Sequence, residues 1–283
     1  MIEFPYSIFT KTEDFPVHLQ YGFHEQEMYL HGHGDFSELV IVLDGNAQHL
    51  VGAEQYPISK GSVFVVGTHT AHGFTGARHL SICNIMFRQD ALSYILDMKQ
   101  LPGFQAMFVL EPHYAQNDRF HARVRLPDDE LRDVQRQLDL LMQEYTQKNT
   151  GWRDMVLSGF HTLCTMLARC YRTDEEDSVM KLASAVAFME RHYTERITLT
   201  DLTVRSGYSE RQLLRLFHEI LGTTPTQYLN HLRIGQAKRL LQGTALPVGE
   251  IAWRCGFDDQ NYFTRAFRSR TGLTPSAFRK SSR

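Results

Sequence analysis

Two groups of residues in this chain have types and spacings suited to chemistry. The first recurs in a unit that is written twice near the C-terminus. Leu202-Thr-Val-Arg-Ser-Gly-Tyr208 is echoed by Ile251-Ala-Trp-Arg-Cys-Gly-Phe257, Leu213–Phe217 by Phe263–Phe267, and Gly222-Thr-Thr-Pro225 by Gly272-Leu-Thr-Pro275. On a helix turning about 100° per residue, Leu213, Leu216, Phe217 and Ile220 share one side and are expected in the core. Arg211, Arg215 and His218 then fall on the opposite side. In the second unit Phe263, Ala266, Phe267 and the stem of Arg270 form the inner side, with Asn261, Arg265 and Arg268 opposite. Arginine can bond guanine O6 and N7 together, and asparagine can do the same with adenine, so these outward types suit DNA base edges. Gln212, Gln260 and Asp259 fall at helix starts, within reach of bases or sugars.

The second group is His31-Gly-His33 with Glu38, in a half of the chain that holds eleven of the fourteen histidines. In a strand, alternation puts both imidazoles of His-x-His on one side. Neutral imidazoles with one carboxylate make a donor set that suits iron, manganese, nickel or zinc.

The elements that must position these residues are legible around them. Each C-terminal repeat reads as helix, glycine-containing turn, helix, giving helix-turn-helix motifs over 199–221 and 248–271. Ser209 and Asp259 stand where an N-cap would start the second helix. Gly222 and Gly272 stop it, with a proline three residues on. The offset between the units is 49 residues before the internal turn and 50 after it, so the second turn is one residue longer. Pro225 and Thr226–Gln242 read as one helix of about 24 Å. That length is compatible with holding two recognition helices one DNA turn, about 34 Å, apart. Lys238, Arg239, Lys280 and Arg283 are expected phosphate contacts, which add affinity without sequence choice.

Upstream, Glu38–Leu43 is a strand run closed by the turn sequence Asp44-Gly45-Asn46. Further short strands are expected at Gln48–Val51, Gln55–Ile58, Ser62–Val66 and Leu80–Phe87, punctuated by Gly52, Gly61, Gly67 and Gly76. Close, regular spacing of this kind predicts a sandwich or barrel. Leu131, Val134, Leu138, Leu141 and Tyr145 then recur at helical spacing, as do Val156, Phe160, Leu163, Leu167 and Cys170. They predict an αα-hairpin turning near 148–151. Its apolar stripes either cover the barrel or pair with a second copy of the chain.

Charge separates the two regions more sharply than pattern does. The whole chain carries a formal −2, which alone would argue against a nucleic-acid partner. Residues 1–177 hold 14 basic and 24 acidic side chains, whereas residues 178–283 hold 16 and 8, net −10 and +8. An acidic module joined to a basic one hints at anion binding by the second. Composition is ordinary for globular chains and excludes collagen-like, coiled-coil and disordered classes. No signal peptide is evident and no apolar run could span a bilayer, so a cytoplasmic protein is expected. Cys83, Cys164, Cys170 and Cys255 have no zinc-ligand spacing and read as free thiols.

The C-terminal motifs resemble those of the AraC/XylS transcription regulators. The resemblance rests on Gly207-Tyr-Ser209 and Gly256-Phe-Asp258, on the two Gly-x-Thr-Pro turns, and on Asp258-Asp-Gln-Asn-Tyr-Phe-Thr-Arg-Ala-Phe267. It implies a promoter-binding factor, usually an activator that contacts RNA polymerase. Carried over by position, it puts base contacts on Arg211 and Arg215, then on Gln260, Asn261 and Arg265, with Asp259 beside them. Leu214 stands where some relatives carry a polar base-reading residue.

In the acidic half, His31-Gly-His33-x4-Glu38-x6-Gly45 is similar to the first cupin motif, and Gly61…His72 resembles the second. Cupin enzymes hold a divalent metal on the equivalents of His31, His33, Glu38 and His72. Gly67 and Gly76 replace the proline and asparagine of the second motif. Three readings of the four residues stay open: an effector pocket, a metal site, and support for the sheet. Asp35-Phe-x-Glu-Leu-Val-Ile-Val42, Tyr56-x-Ile-x-x-Gly61, Asn84-Ile85 and Leu101-Pro-Gly-Phe104 resemble the rhamnose-responsive regulators and suggest a sugar such as L-rhamnose.

These readings together predict an α+β chain. A cupin-like, jelly-roll effector-binding and dimerisation domain spans 1–175, with a helical hairpin at 128–171. An all-α DNA-binding domain spans 176–283. The expected function is a homodimeric, non-enzymatic regulator of promoter DNA without a cofactor. Its rivals are a metal-responsive regulator and a metal-dependent cupin enzyme.

Overall fold

A computed structural model describes residues 2–10, 14–92, 97–115, 124–171 and 178–281 of the 283. The chain forms two compact units, 1–183 and 184–283. Residues 172–177, most of the polar stretch read as the domain boundary, lie outside the described residues.

Among the described residues, the first unit holds β1 (Ile2–Phe4), β2 (Val17–His24), β3 (Met28–His33), β4 (Ser37–Val51), β5 (Glu54–Ser59), β6 (Ser62–Val66), β7 (His72–Phe87) and β8 (Val124–Arg125). The antiparallel pair β4 and β7 runs through the middle, and each strand serves two further neighbours. β4 pairs with β6 through 38–41 and with β5 through 46–51. β7 pairs with β2 through 80–87 and with β3 near His72. The first half of β4 is apolar without alternation because both of its faces are covered: Leu39, Val40, Ile41 and Val42 are all at 0% exposure.

The expected turn at Asp44-Gly45-Asn46 is not a turn. β4 continues through it, and its register against β7 shifts between Val42 and Gln48. Gly45 adopts φ +75, and a Cβ there would lie 2.2 Å from the His79 carbonyl oxygen. Residues that tolerate positive φ close a hairpin or form a bulge equally well, and a bulge bends a strand without ending it. Glu38–Leu43 and Gln48–Val51 are therefore one bent strand. Gly76 likewise lies inside β7 and does not bound it.

A short helix α1 (Pro102–Phe104) continues through a π-helical stretch into α2 (Glu111–Ala115). The hairpin follows as α3 (Asp128–Gln147) and α4 (Trp152–Cys170), turning through Lys148 and Gly151 at positive φ. Its stripes are spent within the chain. Leu131, Val134, Leu138, Leu141, Val156, Phe160, Leu163 and Leu167 are all buried. The Phe160 ring lies 5.4 Å from Phe87 on β7, and the Tyr145 hydroxyl meets His18 Nδ1 on β2 at 2.8 Å. This seam covers the sheet, so pairing with a second copy would fall to outer residues such as Leu140 and Met155, 60% and 56% exposed.

A helix α5 (Ser178–His192) leads into the second unit. There follow α6 (Leu199–Ser206), α7 (Glu210–Leu221), α8 (Pro225–Gly243), α9 (Val248–Arg254), α10 (Gln260–Thr271) and α11 (Pro275–Ser281). Local sequence fixes where they begin. Thr198 with Asp201, Ser209 with Gln212, and Thr224 with Gln227 each form a capping box. Each box satisfies two backbone donors that a helix start leaves orphaned. Ser209→Ala should therefore cost about 1 kcal/mol, read as a lower urea midpoint at unchanged slope. Ile234, Ala237 and Leu241 of α8 pack with Ile251, Cys255, Phe263 and Phe267, so the long helix carries the second motif on its core. The Arg233 guanidinium donates to the carbonyls of Tyr193 and Glu195, both at 2.7 Å, tying α8 to the loop before α6.

Candidate nucleic-acid interface and ligand cavity

α6–α7 and α9–α10 are the two helix-turn-helix pairs, and their second helices are amphipathic in the expected sense. Leu213, Phe217 and Ile220 of α7 are buried, as are Phe263 and Phe267 of α10. Leu216 and Ala266, read as core, are half-buried. Arg270, whose stem is expected at the core edge, is instead exposed and donates to the His231 ring. Arg211, Gln212, Arg215 and His218 all point to solvent on α7, and so do Gln260, Asn261, Arg265 and Arg268 on α10.

Several of these side chains already have local partners. Gln212 Oε1 accepts from the Ser209 amide at 3.1 Å and hydroxyl at 2.8 Å, so its carbonyl end belongs to the cap. Asp259 Oδ1 accepts from the Tyr262 amide at 2.7 Å and caps α10. The Gln260 side chain lies over Gly249 of α9, where a Cβ would stand 2.9 Å from Oε1. Arg215 has Glu219 one turn on at 3.7 Å, an exposed pair worth well under ~1 kcal/mol that a phosphate or base edge can replace. Lys238 and Lys280 are exposed, and Arg239 donates to Gln236 at 3.0 Å. Arg283 lies outside the described residues.

Between α8 and α10 lies an open cavity of about 590 Å³, lined by Thr223, Gln227, Asn230, His231, Arg265 and Arg270 among others. The α8 members were missed in the sequence. Their signal is a polar stripe at helical spacing, 227, 230 and 231, on a helix read for its apolar face alone, with Thr223 in the turn before it.

The first unit holds a cavity of about 350 Å³ that brings together all four residues of the histidine group. β3 supplies His31 and His33, β4 supplies Glu38, and β7 supplies His72, which sits opposite His31 in the strand register. His72 Nε2 is 3.2 Å from His33 Nε2 and 3.4 Å from Glu38 Oε2, and His33 Nε2 is 3.6 Å from the same oxygen. His33, Glu38 and His72 are buried, while His31 is half-buried toward the opening. β1 pairs in parallel with β3 and brings Phe4 to the cavity wall, joined there by Phe9 and Tyr29. Asn84 also lines it, and its Oδ1 is buried with no hydrogen-bond partner among the described residues.

Burial sets the electrostatics of the cluster. It pushes the His33 and His49 imidazoles down to about 3 and holds His72 well below its ordinary range. It also pushes the Glu38 carboxyl up to about 8. Charged forms lose hydration here without a compensating counter-charge, so the imidazoles stay neutral at physiological pH and keep their lone pairs.

His49, on β4, is the member that sequence reasoning missed. It is buried, stacked on Phe64 at 4.3 Å between centroids, and its Nε2 is 3.4 Å from His72 Nδ1. Its signal was present in the alternation of buried Ala47, His49 and Val51. The expected turn at 44–46 hid the fact that this run continues Glu38's own strand.

Comparison with known proteins divides the chain in the same order. An AraC-like ligand binding domain family matches residues 17–152, and a helix-turn-helix domain family matches residues 202–281. The HTH-type transcriptional activator RhaR of Enterobacter sp. (strain 638) is 31% identical over 88% of this chain and 86% of its own length. The HTH-type transcriptional activator RhaS of Escherichia coli O1:K1 / APEC is 28% identical over 88% of this chain and 86% of its own. A transcriptional regulator with an AraC-type DNA-binding domain from Chromobacterium violaceum has a crystal structure 36% identical over 36% of this chain and 91% of that one. Its TM-score is 0.35. No helix among the described residues is long and apolar enough to cross a membrane.

Proposed function

The chain belongs to the AraC family of transcriptional regulators, and from that premise we propose that it is a sugar-responsive activator working through both helix-turn-helix pairs. The observation that carries the DNA-binding half is the pairing of faces on α7 and α10. Each helix buries an apolar stripe in its own unit and presents arginine or asparagine on the other side. Arg211 and Arg215 would enter one major-groove segment and Asn261 and Arg265 the next. Asp259 and Gln260 sit at the α10 start beside them, and Gln212 and Arg268 flank the two sets. α8, 19 residues or about 28 Å long, is the spacer between them. Lys238, Arg239 and Lys280 would meet phosphates. The net +8 of residues 178–283 is the charge that this part of the chain brings to DNA.

The effector half rests on the first cavity. Aromatic walls from Phe4, Phe9 and Tyr29 suit the CH faces of a pyranose, and His31, His33, Glu38, His72 and Asn84 supply convergent hydrogen-bond partners for its hydroxyls. A monosaccharide such as L-rhamnose fits that chemistry. Binding would favour the arrangement in which both DNA units engage, by its differential affinity for that state. On this reading the protein acts by binding and not by turnover. It works in the cytoplasm as a homodimer and contacts RNA polymerase at the promoter.

Two measurements test the two halves separately. Affinity for a cognate promoter fragment should fall steeply with salt, each neutralised phosphate adding about 0.9 to the slope of log K against log salt. A salt-independent affinity would refute DNA recognition by this surface. In a thermal-shift screen of monosaccharides, one sugar at about 100 times its Kd should add about 2.7 kcal/mol of apparent stability. A screen in which no sugar moves the transition would refute the effector assignment.

A further inference from the structure

We propose that the open cavity between α8 and α10 is a phosphate site, in which Arg270 exchanges the His231 ring for an oxygen of the DNA backbone and His231 takes up a proton as the site fills. This deepens the DNA-binding half of the proposed function and rests on it, and the sugar plays no part in it.

The cavity, about 590 Å³, lies wholly within the second unit. On a helix turning about 100° per residue, its α10 members Tyr262, Ala266 and Ser269 fall to one side of the line Asn261, Arg265, Arg268. Asn230 and His231 of α8 form the facing wall, and Thr223 stands in the turn between α7 and α8. A helix in a major groove meets base edges in front and a phosphate backbone along each flank. The flank of α10 that turns toward α8 is thus where the strand between the two groove segments would pass. Arg265 also lines the cavity, which joins it to the side of α10 assigned to base edges.

The lining suits an oxyanion. Arg265 and Arg270 are part of it, and no Asp or Glu is, among the described residues. Its donors also outnumber its unspent acceptors. Gln227 Oε1 accepts from the Thr223 hydroxyl at 3.2 Å and the Thr224 amide at 3.1 Å, so the Gln227 amide hydrogens remain to donate. Asn230 Nδ2 donates to the Tyr262 hydroxyl at 2.8 Å, which leaves the Tyr262 O–H to donate outward. A phosphate offers several acceptor oxygens and the charge that a guanidinium fork matches.

His231 couples the site to pH. Arg270 Nη2 lies 2.6 Å from its Nε2 and 3.0 Å from its Nδ1, so the neutral ring serves as the arginine's acceptor. Desolvation, then the Arg270 and Lys238 charges, hold the imidazole below its ordinary range. The charged groups around it are thus Lys238 on its own helix and Arg265 and Arg270 from α10, all cationic. A phosphate would take over the Arg270 bond and oppose these charges. The released ring nitrogen then takes a proton from solvent and donates to the same anion. Because the imidazole is held low when the site is empty and raised when it is filled, binding takes up a proton and DNA affinity rises as pH falls.

The test measures anisotropy of the full-length protein on cognate and scrambled fragments. Arg270→Ala should weaken both fragments equally and reduce the slope of log K against log salt by about 0.9. From pH about 8 to about 5, wild-type affinity should rise by up to about tenfold per unit. His231→Gln should flatten this rise, whereas His218→Gln, on the outward side of α7, should keep it. Both cavity side chains are exposed, so the thermal transition should stay in place. One methylphosphonate linkage, neutral where a phosphate was charged, should weaken wild type and leave Arg270→Ala indifferent. If inorganic phosphate alone shifts the His231 NMR signal and no linkage couples to Arg270, a free anion replaces the backbone as occupant and the proposal falls. An Arg270→Ala protein with wild-type salt slope, or a His231→Gln protein with the wild-type pH profile, would also overturn it. In these cases wild type still binds DNA with its steep salt dependence, so the DNA-binding reading stands. Loss of that dependence in wild type would fell both.

Discussion

Arg215→Ala combined with Arg265→Ala is expected to remove about 2–6 kcal/mol of cognate promoter affinity, with no loss of fold. Each guanidinium that reads a guanine contributes about 1–3 kcal/mol of discrimination. The two belong to different recognition helices, and separated base contacts add roughly independently. Both side chains are exposed on the face opposite the buried stripe, so truncation opens no cavity. Arg215 also leaves Glu219, but that exposed pair contributes little. The comparison that matters is between cognate and scrambled fragments in fluorescence anisotropy. Base readers lose affinity for the cognate fragment selectively. A uniform loss on both fragments would reassign the two arginines to phosphate contacts, as expected of Lys238 and Lys280.

Gly256→Ala is the second large effect, and it acts through backbone alone. Gly256 adopts φ +83, and a Cβ there would stand 2.7–2.9 Å from three backbone atoms of Thr194. Left-handed backbone at a non-glycine residue costs about 1–3 kcal/mol, and neither colliding backbone can swing aside as a side chain would. A total of about 3 kcal/mol or more is a large share of the roughly 5–15 kcal/mol that stabilises a typical domain. The C-cap Gly222 offers the control, because it adopts φ +61 and a Cβ there would meet nothing within 4 Å among the described residues. Gly222→Ala should cost only about 1–2 kcal/mol, the left-handed penalty without collision. Urea unfolding of both variants separates strain from contact, and equal losses would refute the Thr194 collision as the cause.

The second unit was legible almost residue by residue, because its signals are local. Ser209 and Asp259 as caps, Gly222 and Gly272 as stops, and Phe217 and Phe263 as core each follow from a few neighbouring positions. The errors there came from residues whose environment is set across helices: Leu216 is half-buried, and Arg270 reaches His231 on α8. The first unit was legible in its strand content and in the His-x-His group, but not in its strand count. Asp44-Gly45-Asn46 has the composition of a turn, and the shift of β4's register against β7 shows that it is a bulge, with Gly45 packed against the His79 carbonyl. That one ambiguity hid His49, which shares a strand with Glu38 and a contact with His72 only because β4 is continuous. The hairpin stripes were ambiguous for the opposite reason. An apolar seam looks the same whether its partner is the chain's own sheet or a second copy, and Phe160 against Phe87 resolves it in favour of the sheet.

In the proposed function one chain reads DNA with two helices under the control of a bound sugar. DNase footprinting of the full-length protein on its cognate promoter, with and without the sugar found in the thermal screen, tests it most directly. Two protected major-groove segments per chain, about one helical turn apart and strengthened by the sugar, are the expected result. Arg215→Ala should thin the one and Arg265→Ala the other. A single protected segment lost equally in both variants, or protection indifferent to sequence and sugar, would contradict it.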